Sequence, residues 1–384
     1  MKTRLSFTLL LVSTILVQAA KESPTATPAK EKSGAATHAF QWVEEPRTPA
    51  AAAWITHQAI EAHSKNRPEI AKGLIEMLGA ENLTAPCAQD GIYFFTKSEG
   101  KKKKSSIYLR KGLQGSDELL IDATKVAGGR DSSLTIFDSS ADASLLVYGV
   151  RDGKGEEQVV RVFDVKARVD LPDKLLRARY NTVSLSPGNK GVYYTKIEPT
   201  GTRVFFHPLG AETAADKLIF GDTYNYEPLG PNDLISTEVT ENGRYLLFCV
   251  ARGQPARRDD VYSQELDKPD RRVRPIIHTG RDNRFSVVNH EEQILALTDN
   301  EAPRKRVVKF LIDDPSPLNW KTIVPEGEDV ISDFSIVGDK LFVSGPQGKA
   351  TQTRIFTLDG TETGQITHPP IDSATSVHHQ CSSR

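Results

Sequence analysis

Serine, histidine and aspartate, the residues of nucleophilic hydrolysis, are all plentiful in this chain, so context decides whether any of them can work together. A hydrolase serine stands on a Gly-x-Ser-x-Gly elbow, because a strained strand-to-helix turn is what exposes its hydroxyl beside an oxyanion hole. No such pentapeptide occurs in the 384 residues, and no Ser, His and Asp share the sequence context of a triad. Metal chemistry is no better served. His57 and His63 stand six apart, the wrong interval for one helix face, and neither His-Glu-x-x-His nor a paired-cysteine spacing is present. No catalytic residue, metal site or cofactor is expected. The three cysteines, Cys87, Cys249 and Cys381, are too few for a disulfide framework and leave one unpaired, with the pairing open. Cys249 lies in the apolar run Tyr245-Leu-Leu-Phe-Cys-Val250 and reads as a small core side chain rather than a reactive thiol. The lysine run 101–104 reads as a solvated hairpin tip, and Asn82-Leu-Thr84 fits a glycosylation acceptor, a triplet frequent by chance.

The elements around these residues divide the chain. A net charge of -1 gives no electrostatic bias towards nucleic acid, and 38% hydrophobic with 26% charged residues is the balance of a water-soluble globular chain with a sizeable core. Lys2 and Arg4 precede an apolar run from Leu5 to Val17 that ends in Val17-Gln18-Ala19-Ala20. This is the pattern of a secretory signal cut after Ala19, and the run is too short to span a bilayer. A secreted or periplasmic location, with no membrane association after cleavage, is therefore expected. Residues 20–37 have no large apolar side chain and read as a flexible linker. Thr48-Pro49 supplies a cap and a first-turn proline for one short helix, and Pro68 opens a second with Ile70, Leu74, Ile75 and Leu78 on one face. Together they make an N-terminal arm over 38–80.

From Gly91 the periodicity is that of short strands. Five turns lead into strongly apolar strands: Ser140 into Leu145-Leu-Val-Tyr148, Ser186 into Val192-Tyr-Tyr194, Glu241 into Tyr245-Leu-Leu-Phe248, His290 into Ile294-Leu-Ala-Leu297, and Val337 into Leu341-Phe-Val343. The repeat of somewhat under to somewhat over fifty residues is that of a four-stranded propeller blade. Each apolar strand is followed by a polar hairpin and a third strand, and an earlier unit contains Ile92 to Thr96 and Ile107 to Arg110. An all-β propeller with about six blades over 81–377 is expected, in preference to a sandwich.

Particular stretches of the arm and the blades resemble the prolyl oligopeptidase family. Phe40-Gln-Trp-Val-Glu-Glu-Pro46 is similar to the family's opening motif, although His38-Ala39 replaces its Asp-Pro, and Ala53-Trp-Ile-Thr-His-Gln58 is similar to its first helix. Leu171-Pro-Asp-Lys-Leu175 followed by Gly191-Val-Tyr-Tyr194 resembles one blade, and Leu311-Ile-Asp-Asp-Pro315 with Asn319-Trp-Lys-Thr-Ile-Val-Pro-Glu326 resembles a late one. The resemblance implies a seven-bladed propeller sitting over an α/β-hydrolase domain whose Ser, Asp and His cleave short peptides after proline. It also implies substrate-facing roles for Tyr180, Leu234 and Arg252, the last through an alignment offset by one.

After Val377, His378-His-Gln-Cys-Ser-Ser-Arg384 departs from the family pattern, and 378–384 is expected to be an aberrant tail that ends the chain before the hydrolase domain. Two functions follow. One is a serine-peptidase remnant, inactive alone, whose propeller gates short proline-containing peptides towards a hydrolase domain supplied in trans. The other is a secreted non-catalytic propeller that binds peptides or proteins.

Overall fold

The computed structural model describes Pro49, Ala53, Trp54 and residues 82–367, except 99–103, 127–131, 154, 223–227, 254, 269–271 and 348–349. The chain divides into two units, Met1–Ile75 and Glu76–Arg384. Of the first, the three described residues are helical, where Thr48-Pro49 predicts a helix. The expected signal, linker, second helix and tail lie outside the described residues.

The described residues of the second unit form antiparallel sheets, with one short α-helix at Ala123–Val126. Blade 1 has Asn82–Leu83 and Cys87–Gln89 on one side of Ile92–Ser98, followed by Ser106–Lys111 and Glu118–Ile121. Ser133–Ser139, Leu145–Arg151 and Gln158–Asp164 begin blade 2, whose last strand is the start of the long Val169–Leu185. The end of that same strand is the first of blade 3, which continues with Gly191–Glu198, Gly201–Pro208 and Lys217–Phe220. Blade 4 is Leu234–Val239, Tyr245–Arg252, Arg258–Glu265 and Arg274–Ile277. Phe285–His290, Gln293–Thr298, Arg306–Leu311 and Lys321–Val324 form blade 5, and Asp333–Val337, Lys340–Gln347, Ala350–Thr357 and Glu362–Thr367 form blade 6. The described residues thus make six blades of a β-propeller, five of four strands and the first with two short strands sharing one edge of Ile92–Ser98. Leu171-Pro-Asp173 falls inside the shared strand, and Pro172, which has no N–H to give, lies where the ladder register shifts between Arg161 and Phe163.

Burial follows from strand alternation. Second strands are covered on both faces and so are apolar at successive positions. Leu146 and Tyr148 enter the core between blades 1 and 2 with Phe94 and Ile107, whereas Val147 enters the core between blades 2 and 3 with Leu185 and Tyr194. The same device repeats at each of the three later joints, with Phe220 against Phe248, Leu247 against Ile294, and Val307 against Leu341 in the respective cores.

The turns before these strands use one chemistry twice. The Ser140 hydroxyl donates to Asp142 Oδ1 at 2.6 Å and accepts the Leu145 N–H at 2.8 Å; Thr240 donates to Asn242 at 2.8 Å and accepts the Tyr245 N–H at 2.9 Å. Such side-chain to backbone bonds close turns without a regular ladder. First strands leave one edge open, and neighbouring blades cover it. Asp138 accepts the Leu185 N–H at 2.8 Å, Asn181 donates to the Ile235 carbonyl at 2.8 Å, and Asp259 accepts the Phe285 N–H at 2.8 Å.

One of the cysteines is unpaired, as their odd number requires. Cys249 is free, half-buried and packed on the core between blades 4 and 5, where burial pushes its thiol well above the ordinary range. Cys87, however, is disulfide-bonded, so this fold does use a disulfide. Its sulfur also lies 3.1 Å from the Ser139 hydroxyl of the next blade.

Candidate functional site

Tyr180 and Leu234 both stand at the start of first strands, in blades 3 and 4. Asn181 against Ile235, and the Thr237 N–H donating to Thr182 Oγ1 at 3.0 Å, set these strands side by side in register. Leu234 pairs with Ala251, which places Arg252 at the same end of blade 4. The three residues therefore gather at one end of two adjacent blades, although they are far apart in sequence.

Their side chains differ in what they have left to offer. The Tyr180 hydroxyl donates to the Leu176 carbonyl, and its ring meets Tyr194 edge-on with centroids 5.7 Å apart. Burial first, then the charge of Asp216, raises the Tyr180 phenol above its usual range, so it stays neutral. Leu234 is half-buried. Arg252 is only 9% exposed and is bound within its own blade. Its Nε donates to Asp260 Oδ2 at 2.8 Å, while its terminal nitrogens donate to Pro228 O at 3.0 Å, Asp233 Oδ2 at 3.1 Å and the Tyr262 hydroxyl at 3.2 Å. Burial opposes the charge on this guanidinium and the Asp260 hydrogen bond restores it, so it remains a cation. Four of its five N–H groups are engaged. Arg252 thus holds the blade end together, and Tyr180 and Leu234 are the residues with faces to present.

Behind Tyr180 lies a buried polar cluster that the sequence did not announce. The Tyr194 hydroxyl donates to Asp216 Oδ2 at 2.7 Å, His207 Nδ1 is 2.6 Å from Asp216 Oδ1, and His207 Nε2 is 3.3 Å from Asp173 Oδ1. Asp173 also accepts the Gly210 N–H. Two members, Asp173 and Tyr194, belong to the Leu-Pro-Asp and Gly-x-x-Tyr stretches whose family resemblance was the available signal. His207 and Asp216 carry no local pattern.

The other described histidines likewise face carboxylates: His278 Nδ1 is 3.3 Å from Asp260, and His290 Nδ1 is 3.4 Å from Glu241. Among the described residues none of the three pairs with a serine, and no group of three His, Cys, Asp or Glu is placed to hold a metal ion. A cleft of about 140 Å³ lies where the connection into blade 6 meets that blade's second and third strands, lined by Val330, Ser344, Gln352 and Arg354 among others. It is smaller than the several hundred Å³ that ordinary ligand pockets occupy.

Residues 22–383 match the family model described as the prolyl oligopeptidase N-terminal β-propeller domain. The chain belongs to that family. The prolyl endopeptidase of Elizabethkingia meningoseptica is 24% identical over 339 residues, which are 84% of this chain and 46% of that protein. The prolyl endopeptidase of Elizabethkingia miricola is 26% identical over 305 residues, 75% of this chain and 42% of that one. A solved prolyl endopeptidase, from a study of inter-domain dynamics in catalysis and specificity, superposes with a TM-score of 0.70 at 25% identity. The match covers 86% of this chain and 50% of that one. Prolyl oligopeptidase B of Galerina marginata, solved with a 35mer substrate, shares the fold with a TM-score of 0.67 at 16% identity, over 85% of this chain and 49% of that one. The chain spans about half the length of the relatives it matches, and the match is to their N-terminal propeller domain.

Proposed function

We propose that this propeller is one wall of a peptide chamber, gating short proline-containing peptides towards an α/β-hydrolase domain that carries nucleophile, base and oxyanion hole. Membership of the prolyl oligopeptidase propeller family carries the proposal, because the relatives named prolyl endopeptidases are about twice as long as the matched region. On this reading Tyr180 and Leu234 supply apolar contact at one end of blades 3 and 4, where an aromatic face and an aliphatic side chain suit a proline ring. Arg252 keeps that end in shape. The chain alone does not hydrolyse peptides, and it acts outside the cytoplasm after removal of the N-terminal segment.

The experiment is titration of the full chain with a proline-containing octapeptide, followed by calorimetry or fluorescence anisotropy. Tyr180→Ala is expected to weaken binding about tenfold, equivalent to about 1.4 kcal/mol. Equal affinity in the variant would remove Tyr180 from the site.

A further inference from the structure

We infer that Asp173, His207 and Asp216 are positioning residues for Tyr180, fixing its ring through Tyr194. The inference rests on the reading of Tyr180 as a substrate-facing aromatic. The contacts run without a break: Tyr180 stacks edge-on against Tyr194, Tyr194 donates to Asp216, Asp216 faces His207, and His207 faces Asp173. Asp216 is held at both oxygens, Oδ2 by the Tyr194 hydroxyl and Oδ1 by the imidazole, so its carboxylate plane is determined. The side chain of His207 is 1% exposed, and those of Asp173 and Asp216 are 4% and 10%.

Burying two carboxylates and an imidazole carries a large desolvation cost, and apolar side chains of similar volume would pack as stably. What a fully connected polar cluster adds is a single geometry. Here that geometry has a destination. Asp173 and Tyr180 lie on the same long strand, at its blade 2 and blade 3 ends, and the cluster ties the first to the ring partner of the second. The Tyr180 hydroxyl is anchored separately on Leu176. Ring and hydroxyl are thus fixed by different partners, and removing the cluster should free the ring alone.

The test places 3-fluorotyrosine at position 180 of the full chain and reads its fluorine NMR signal beside the affinity for the proline-containing octapeptide. Tyr194→Phe deletes only the hydroxyl, Asp216→Asn removes the charge, and Val261→Ala, a core truncation in blade 4, controls for lost stability. The expected result is a shifted or broadened Tyr180 signal and about fivefold to tenfold weaker binding in the first two variants, with the control unchanged in both. An unmoved signal in folded Tyr194→Phe and Asp216→Asn would overturn the inference. A signal that moves while even the parent chain binds no peptide would uphold the positioning role and overturn the substrate-facing reading.

Discussion

Arg252, to which the resemblance gives a substrate-facing role, is bound inside blade 4. Its guanidinium lies between Asp233 and Asp260, and the Asp260 side chain is 0% exposed. Arg252→Ala would leave that carboxylate buried with the Arg258 guanidinium at 3.2 Å as its remaining cationic neighbour and the His278 imidazole 3.3 Å away. Breaking a buried pair on one side is expected to cost about 3–5 kcal/mol, read as a fall in urea midpoint. A variant as stable as the parent but unable to bind peptide would return Arg252 to a substrate-facing role. Asp142 offers a pH-dependent counterpart. The Ser140 hydroxyl first, then the Ser144 hydroxyl and N–H, lower its carboxyl from 3.8 to about 2. A carboxylate depressed in the folded state stabilises above its unfolded pKa and loses that contribution as pH falls through the folded one. Asp142→Asn is therefore expected to lower the urea midpoint fully at pH 7, with a deficit that shrinks as pH drops from about 4 towards 2. A constant deficit across that range would show that the turn does not depend on the charge. Of the candidate site, Tyr180 and Leu234 were singled out in the sequence because each stands in a stretch comparable with the family. His207 and Asp216 were not, since their pairing depends on how blade 3 folds its third strand against the segment before its fourth.

At the scale of elements, the apolar second strands were readable because they are buried on both faces and carry successive large aliphatic and aromatic residues. The outer strands, such as Lys217–Phe220 and Lys321–Val324, are short and half-exposed and left no period to read. The continuous strand from Val169 to Leu185 was also invisible, because Pro172 suggests a break where the structure has a register shift. Gly191 of the Gly-x-x-Tyr stretch acquires a cause here. A Cβ at this position would lie 2.4 Å from the His207 carbonyl oxygen and 2.4 Å from the Phe206 ring. Gly191→Ala is expected to cost about 1–3 kcal/mol through overpacking, whereas Gly155→Ala, whose nearest neighbour is 4.0 Å away, should be close to neutral. Equal denaturation midpoints for both variants would contradict the close approach of the second and third strands of blade 3.

At the scale of the whole molecule, five apolar cores join successive blades of the described residues into one scaffold. On the proposed reading, the propeller restricts which peptides reach the nucleophile of a hydrolase domain. That restriction is a property of the pair, so the most direct measurement uses both parts. The hydrolase half of the Elizabethkingia meningoseptica enzyme would be produced separately, and post-proline cleavage of a short chromogenic peptide and of a long unfolded protein would be followed with and without this chain. The proposed gating predicts no turnover by this chain alone, association with the hydrolase half, and a rise in the ratio of short-peptide to long-chain cleavage when both are present. Failure to associate, with that ratio unchanged at saturating propeller, would contradict it.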